Sequence, residues 1–544
     1  MQKAETKTKR LNAGTVFTSA FFIQHSAFIL IALLALAIRL PQLGVRPMHT
    51  DEAVNAYIVG QSLAGEKYHY DPQDRHGPAL VEFTLPLVRL EGAKKFSDLT
   101  EAQLRLVPVL IGSATVLLFG AAVEIFGFIP SLVAALLFAC APLPVYYSRY
   151  FIHETLFVAA TLGVILSGAR AWRKNSVLFA VLAGLCAALM LACKETSVLH
   201  FVALGITVVI GWRLRAPGKI PSLQIFIIAV ITFFIAGILL FTWFGQDWSA
   251  LADLFRALPH LAARANGEGH EKPFWYYFIL LAGGASGALL LVLSISGLAV
   301  AWWGETPGEP LHEMAVNGSR GRPPHRCFLA IYAILIFAAY CIIPYKTPWL
   351  ALNFWLPLSL LAGFAIEWIW FASKKIYIRA AILLGCVALG LLIAQDTQQR
   401  VFISPADEKN PYAYAHTTED LIRLPVRLEE LARQNKISNP RVAVVAADAW
   451  PLPWYLRKFS NVGFWQPNED TGDADFFITT TDISDKLAAR LQNFRPDYFG
   501  ARPNVLLILW SPISANKMNT DGSQAAGGAS VPASRMPPVS AARQ

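Results

Sequence analysis

Charged residues are scarce. Asp, Glu, Lys and Arg make up 15% of the 544 residues, where a soluble globular chain carries roughly a quarter. Cysteine is sparse as well: Cys140, Cys186, Cys193, Cys327, Cys341 and Cys386 lie in or at the ends of apolar stretches, none in C-x-x-C spacing. That excludes a disulfide scaffold and a zinc framework and leaves them as small buried residues. No internal repeat is visible in the hydropathy pattern, which argues against a repeat-built transporter. What the chain has instead is apolar length. It is 55% hydrophobic, with a mean hydropathy of +0.44. Runs such as 16–40 and 223–244 reach or exceed the roughly 20 residues that a helix needs to cross a bilayer. A soluble enzyme, a secreted module and a disordered scaffold are excluded, and so is an outer-membrane barrel, whose strands alternate in short segments. The formal net charge of +9 therefore matters by its placement and does not point to nucleic acid.

Hydropathy places about eleven spans, near 16–40, 104–127, 130–147, 151–169, 176–193, 197–212, 223–244, 275–302, 327–343, 348–370 and 377–395. The first is too long for a signal-peptide core and is expected to stay attached. Cation triplets recur on alternate loops: Arg170/Arg173/Lys174, Arg213/Arg215/Lys219, Arg320/Arg322/Arg326 and Lys374/Lys375/Arg379. With the N-terminus (1–15) in the cytoplasm, all four face the cytoplasm, whereas the short outer loops hold single cations. The transmembrane part is thus 16–395, with long outer loops at 41–103 and 245–274. An odd span count puts 396–513 outside. That stretch reads as a small α/β domain: strands at 441–447, 475–480 and 504–510, helices at 421–431 and 482–494. Residues 514–544, rich in Ser, Ala, Gly and Pro, read as a disordered tail. The predicted fold is an all-α polytopic bundle of the cell membrane carrying a small extracytoplasmic α/β domain.

Unusual polar residues gather on the predicted outer face. They are Met48-His49-Thr50-Asp51-Glu52 after the first span, the 70–78 stretch with His76, and Ser148-Arg149 with His153-Glu154. Lys194, His270 and Tyr345-Lys346-Thr347-Pro348-Trp349 complete the set. Ionisable groups clustered at span ends are functional candidates. Each also has an ordinary reading: acids favour helix N-termini, Arg149 and Glu154 suit an interfacial ion pair, Lys194 and Lys346 can snorkel. No histidine pair has the i, i+4 spacing of a zinc helix, and no metal ligand set is assigned. Taken together, acids on one loop and single cations on three others suit chemistry on a phosphate-bearing lipid. The cations hold the phosphate, and a carboxylate takes a proton from a hydroxyl acceptor.

A long first outer loop opening with Asp51-Glu52 resembles the GT-C superfamily of membrane glycosyltransferases. The similarity is to the branch of the protein O-mannosyltransferases and the lipid A aminoarabinose transferase. Tyr147-Ser148-Arg149-Tyr150 to Glu154, Lys194 and Tyr345 to Trp349 strengthen it. With Asn410-Pro411-Tyr412-Ala413-Tyr414 and Trp450 to Arg457, these residues resemble the flippase-activity-associated subgroup of archaeal N-glycosylation and its bacterial relatives. The resemblance covers about 16–460. It implies a polyprenyl-phosphate sugar donor, a hydroxyl-bearing lipid, glycan or protein acceptor, and hexosyl or pentosyl transfer with inversion. It makes Asp51 the general base, gives Glu52 an orienting role and places Arg149, Lys194 and Lys346 on the donor phosphate. His49, His76, His153, Glu154, His270, Tyr345 and Trp349 remain as candidates for substrate contact. A divalent metal near Asp51 is the one cofactor the resemblance leaves open, since some relatives hold one and the mannosyltransferases need none. Two departures stand out. The 245–274 loop is too short for a β-trefoil domain, and Trp302-Trp303-Gly304-Glu305 is on the wrong face to serve as an oligosaccharyltransferase Trp-Trp-Asp-Tyr-Gly motif. A non-enzymatic accessory protein for lipid-linked glycans is the competing class, needing the cations but not Asp51.

Overall fold

The computed structural model describes residues 26–73, 75–214, 222–267, 269–303, 324–446, 449–467 and 469–513. The N-terminal stretch 1–15, the start of the first span, Arg215, Lys219, Gly304, Glu305, Arg320, Arg322 and the tail 514–544 lie outside the described residues. Within them every expected span coincides with an apolar helix. Seven helices are long and apolar enough to cross a membrane. They are α4 (Glu101–Phe126), α7 (Glu154–Lys174), α10 (Leu223–Phe241), α13 (Ala285–Trp303), α14 (Pro324–Ile342), α15 (Leu352–Ala372) and α16 (Ile376–Thr397). Four shorter apolar helices fill the remaining positions: α1 (Ser26–Arg39), α5 (Phe128–Cys140), α8 (Val177–Cys193) and α9 (Ser197–Leu214).

Helix α15 is the central element, buried on nearly every side from Leu352 to Ala365. Helix α5 reaches it through Gly363, where an added Cβ would stand 2.5 Å from the Pro130 backbone. Helices α10 and α16 instead expose Leu223, Phe226, Phe234, Leu384 and Leu391, the all-round apolar surface of a helix that meets lipid. Cys386 is exposed on α16, not buried as its apolar setting suggests. Two expected spans are divided. Ala141 is extended and Pro142 opens a new turn, so 130–147 becomes α5 and α6 (Pro142–Tyr147). The 275–302 segment splits into α12 (Tyr276–Leu281) and α13 around Gly284, whose φ is +98°.

Three helices lie in the long loops: α2 (Thr50–Leu63) and α3 (Ala79–Leu90) in 41–103, and α11 (Ala250–Arg264) in 245–274. Beyond α16, α17 (Asp420–Gln434) packs on a five-stranded sheet of β1 (Val442–Val445), β2 (Val462–Trp465), β3 (Phe476–Thr480), β4 (Phe494–Arg502) and β5 (Val505–Pro512). The strand order is β2-β1-β3-β5-β4. The first three strands are parallel, and β5 pairs antiparallel with both β3 and β4. Two strands are absent from the sequence reading, β2 and β4. The helix expected over 482–494 is two short turns, Thr481–Lys486 and Ala488–Leu491, before β4 begins. The sheet domain is seated on the first long loop. One apolar core joins Met48, Ala53, Tyr68, Tyr70 and Leu80 to Leu424, Leu428, Val444, Trp454 and Leu507.

Candidate functional site

Helix α2 begins where His49 can act as its cap. The His49 Nδ1 accepts the backbone N–H of Asp51 at 3.0 Å, and Glu52 Oε2 accepts the N–H of His49 at 3.1 Å. This is a reciprocal capping box, with two acids in the first turn where the helix dipole favours them. Since Nδ1 accepts, Nε2 carries the proton that it shares with the Tyr414 carbonyl at 3.2 Å. Burial lowers the basicity of His49, opposed by the neighbouring charge of Asp51.

The two acids then part. Glu52 has no exposed surface, and both of its oxygens are consumed. Arg105 binds it from Nε at 2.8 Å and Nη2 at 2.7 Å, Arg46 adds a contact at 3.3 Å, and the Phe151 N–H donates at 2.9 Å. Burial works to raise its pKa, but Arg105 and Arg46 hold it far below the ordinary carboxylate range. Every lone pair of Glu52 is thus taken up by Arg105, Arg46 and the N–H groups of His49 and Phe151. Asp51 is partly exposed. Among the described residues its carboxylate accepts no hydrogen bond and meets no cation within ion-pair distance.

Around Asp51 stands an aromatic wall built from five separate stretches. The His49 ring lies 5.4 Å from Tyr150, 6.0 Å from Trp349 and 5.5 Å from His416. Trp349 lies 5.9 Å from Tyr414, and the His270 ring is 4.9 Å from Tyr345. His270 Nδ1 and the Tyr414 hydroxyl are 2.7 Å apart. So His49, His270, Tyr345 and Trp349 are brought together beside Asp51.

His76, His153, Glu154 and Lys194 form a second cluster. Lys194 pairs with Glu154 at 2.5 Å, both nearly buried. Glu195 accepts from His76 Nδ1 at 2.9 Å and from the Tyr70 hydroxyl at 2.8 Å. Burial would raise the Glu195 pKa, but the His76 charge and these hydrogen bonds bring it down to about 2. The rings of His76 and His153 are 5.4 Å apart. His153 is held well below the usual histidine value, by burial first and then by the charges of His76 and Lys194. Gly77 permits the arrangement, since a Cβ there would sit 2.2 Å from the Ala192 carbonyl oxygen. Burial first, and then the charge of Asp51, push the Tyr345 hydroxyl up.

Two of the three expected phosphate cations are turned to backbone. Arg149 donates from Nη1 to the carbonyls of Arg39 and Pro41 at 2.8 and 2.5 Å and from Nη2 to Gln42 at 3.3 Å. Burial and the nearby charges of Arg46, Arg105 and Arg39 lower it to about 9. Arg149 thereby ties down the turn that leaves α1. Lys346, buried, donates to the carbonyls of Ile343 at 2.5 Å and Lys272 at 3.2 Å, which leaves one of its three N–H donors. Lys194 has spent one donor on Glu154.

Sequence reasoning missed Arg46, Arg105, His416 and Arg502, and met Tyr70, Glu195 and Tyr414 only as members of longer stretches, without a role. Of these four, Arg105 carried a signal, as a charged residue at the start of a span. Near Asp51 both His49 nitrogens and both Glu52 oxygens are engaged. Among the described residues no group of three His, Cys, Asp or Glu side chains converges.

Residues 91–238 match the family model described as dolichyl-phosphate-mannose-protein mannosyltransferase. The fold is similar to that of ArnT from Cupriavidus metallidurans bound to undecaprenyl phosphate, with a TM-score of 0.59 and 15% identity over 88% of this chain and 97% of that one. The apo form of the same protein gives 0.55 and 14% over the same shares. The archaeal oligosaccharyltransferase AglB from Archaeoglobus fulgidus, in complex with an inhibitory peptide and a dolichol-phosphate, gives 0.52 and 12% over 90% of this chain and 76% of that one. No curated protein matches the sequence. At these identities the likeness is one of fold, and the fold is that of the GT-C glycosyltransferases.

Proposed function

We propose that this GT-C membrane protein moves a sugar from a polyprenyl-phosphate-linked donor to a hydroxyl-bearing lipid, glycan or protein acceptor. The reaction takes place on the extracytoplasmic face, where the cation pattern places the long loops. The observation that carries this reading is the division between neighbouring acids, Glu52 consumed by arginines and Asp51 partly exposed with no partner among the described residues. An accessory protein that only holds lipid phosphate has no use for such a carboxylate. The family match and the polyprenyl-phosphate ligands of ArnT and AglB support the donor class.

In the reaction the acceptor oxygen attacks the anomeric carbon, and the bond from that carbon to the phosphate oxygen breaks. The electron pair leaves with the polyprenyl phosphate, and Asp51 takes the acceptor's proton. Lys194 and the remaining donor of Lys346 face the developing phosphate charge, where preset positive charge lowers the barrier most. The aromatic wall, with Trp349 and Tyr345, stacks against the sugar ring and keeps water out. The test uses the purified full chain in nanodiscs with a panel of polyprenyl-phosphate sugars, and mass spectrometry of released polyprenyl phosphate. Release by the wild type and its loss in Asp51→Asn support the reading. Donor binding without release from any sugar overturns it in favour of the accessory role.

A further inference from the structure

The segment leading to Asp51 is gripped residue by residue from the far end of the chain. The Met48 N–H donates to the Tyr455 hydroxyl at 2.8 Å, and the Thr417 hydroxyl donates to the Met48 carbonyl at 2.7 Å. His49 meets the Tyr414 carbonyl, and Arg502 Nη1 reaches the Thr50 hydroxyl at 3.4 Å. Arg502 arrives there by a local irregularity. The β4–β5 register shifts between Gly500 and Arg502, and the hairpin closes through Asn504 at φ 65°, a left-handed conformation that Asn tolerates well. The guanidinium is half-buried. Burial lowers its basicity, and among the described residues Asp51 is the acid whose charge opposes that loss.

We propose that Arg502 is a positioning residue for the transfer: the β4–β5 hairpin delivers it to the first turn of α2, where it holds Thr50 and fixes the aim of the Asp51 carboxylate. The sheet domain is then part of the catalytic apparatus. This rests on the reading of Asp51 as the base. Other titratable groups also face Asp51: His49 on its own cap, Tyr150 from the turn before α7, Tyr345 from the turn before α15 and Tyr414 from the linker. Arg502 is the permanent cation of this set, so its removal is expected to disfavour the charged carboxylate.

The experiment compares wild type, Arg502→Met, Arg502→Lys, Tyr455→Phe and Asp51→Asn in nanodiscs, reading kcat, donor KM, the pH–rate profile and melting temperature. Arg502→Met is expected to lose roughly tenfold in kcat with an unchanged donor KM. The acidic limb of its profile moves to higher pH, and Arg502→Lys restores the limb. Tyr455→Phe lowers kcat and leaves the limb in place, because it removes an acceptor for Met48 but no charge. Wild-type kcat and profile in Arg502→Met overturn the proposal, as does a raised donor KM at constant kcat, which makes Arg502 a substrate anchor. Loss of kcat and melting temperature in Met and Lys variants alike, with the limb unmoved, reduces Arg502 to a docking contact and also overturns it. Asp51→Asn separates the two readings. If that variant keeps turnover, the base assignment falls and this proposal with it; if it loses turnover while Arg502→Met does not, only the role of Arg502 falls.

Discussion

Glu52→Gln and Asp51→Asn make the same chemical change at adjacent positions and are expected to fail in opposite ways. Glu52 balances Arg105 and Arg46 in a site with no exposure, at 2.7–2.8 Å and 3.3 Å. A Gln there keeps the shape but leaves two buried guanidiniums without a counter-charge. Breaking such a pair costs about 3–5 kcal/mol. Arg105 keeps the carbonyls of Leu43, Arg46 and Pro47, so the lower end, about 3 kcal/mol, is the working value. The ionised Glu52 contributes its stability above the ordinary carboxylate pKa and loses it as pH falls toward its depressed value. Glu52→Gln should therefore reproduce at neutral pH much of the destabilisation that acid causes in the wild type. Asp51 has no such partners, so Asp51→Asn should melt like the wild type and yet turn over roughly 10²–10⁴ times more slowly. Thermal shift in nanodiscs and the polyprenyl phosphate release assay read the two losses separately. If Glu52→Gln melts at the wild-type temperature and loses turnover as Asp51→Asn does, the structural assignment of Glu52 is refuted.

Three further outcomes follow from the same geometry. Gly77→Ala should destabilise the protein by about 1–3 kcal/mol and weaken donor-lipid binding, because its Cβ drives His76 and the Ala192 carbonyl apart; wild-type melting and binding would refute the close approach. Glu82 on α3 has a buried, unpartnered Oε1, and burial raises its pKa to about 8. Its favourable neutral form is present below the ordinary Glu value and lost as pH rises through about 8. Glu82→Gln should thus gain about 2–3 kcal/mol at pH ~9, after discounting for partial exposure, and little at pH ~5, as read by melting temperature at the two pH values. Lys194→Met should weaken polyprenyl phosphate binding by roughly 1–3 kcal/mol. Adding Glu154→Gln should recover melting temperature but not binding, and recovery of both would place the phosphate elsewhere.

The bundle was readable because apolar length is a one-dimensional signal. The segments around 104–127, 151–169 and 223–244 differ from α4, α7 and α10 by a few residues at each end. Breaks inside a run were harder to see: Ala141-Pro142 and Gly284 redirect the chain without interrupting its hydropathy. In the sheet, β1, β3 and β5 were legible as apolar runs. β4 was not, since Arg495, Pro496 and Asp497 interrupt its apolar pattern and the hairpin with β5 supplies its order. The candidate site shows the same limit. Asp51 and Glu52 are interchangeable in sequence; what separates them is Arg105, supplied by a different helix 53 residues away. Lone cations at loop ends look alike, yet Arg149 and Lys346 find backbone carbonyls and Lys194 finds a carboxylate. Arg502 carried no signal, because its place depends on a strand irregularity.

The grip on Met48–Asp51 also sets a clock. Thr50 is synthesised 452 positions before its partner Arg502. At roughly 5–20 residues per second, about 20–90 s separate the two. Through that interval the helices are inserting beside a carboxylate whose supports have not yet been made. If Arg502 positions Asp51 as proposed, chains that lack the last hairpin are expected to transfer no sugar.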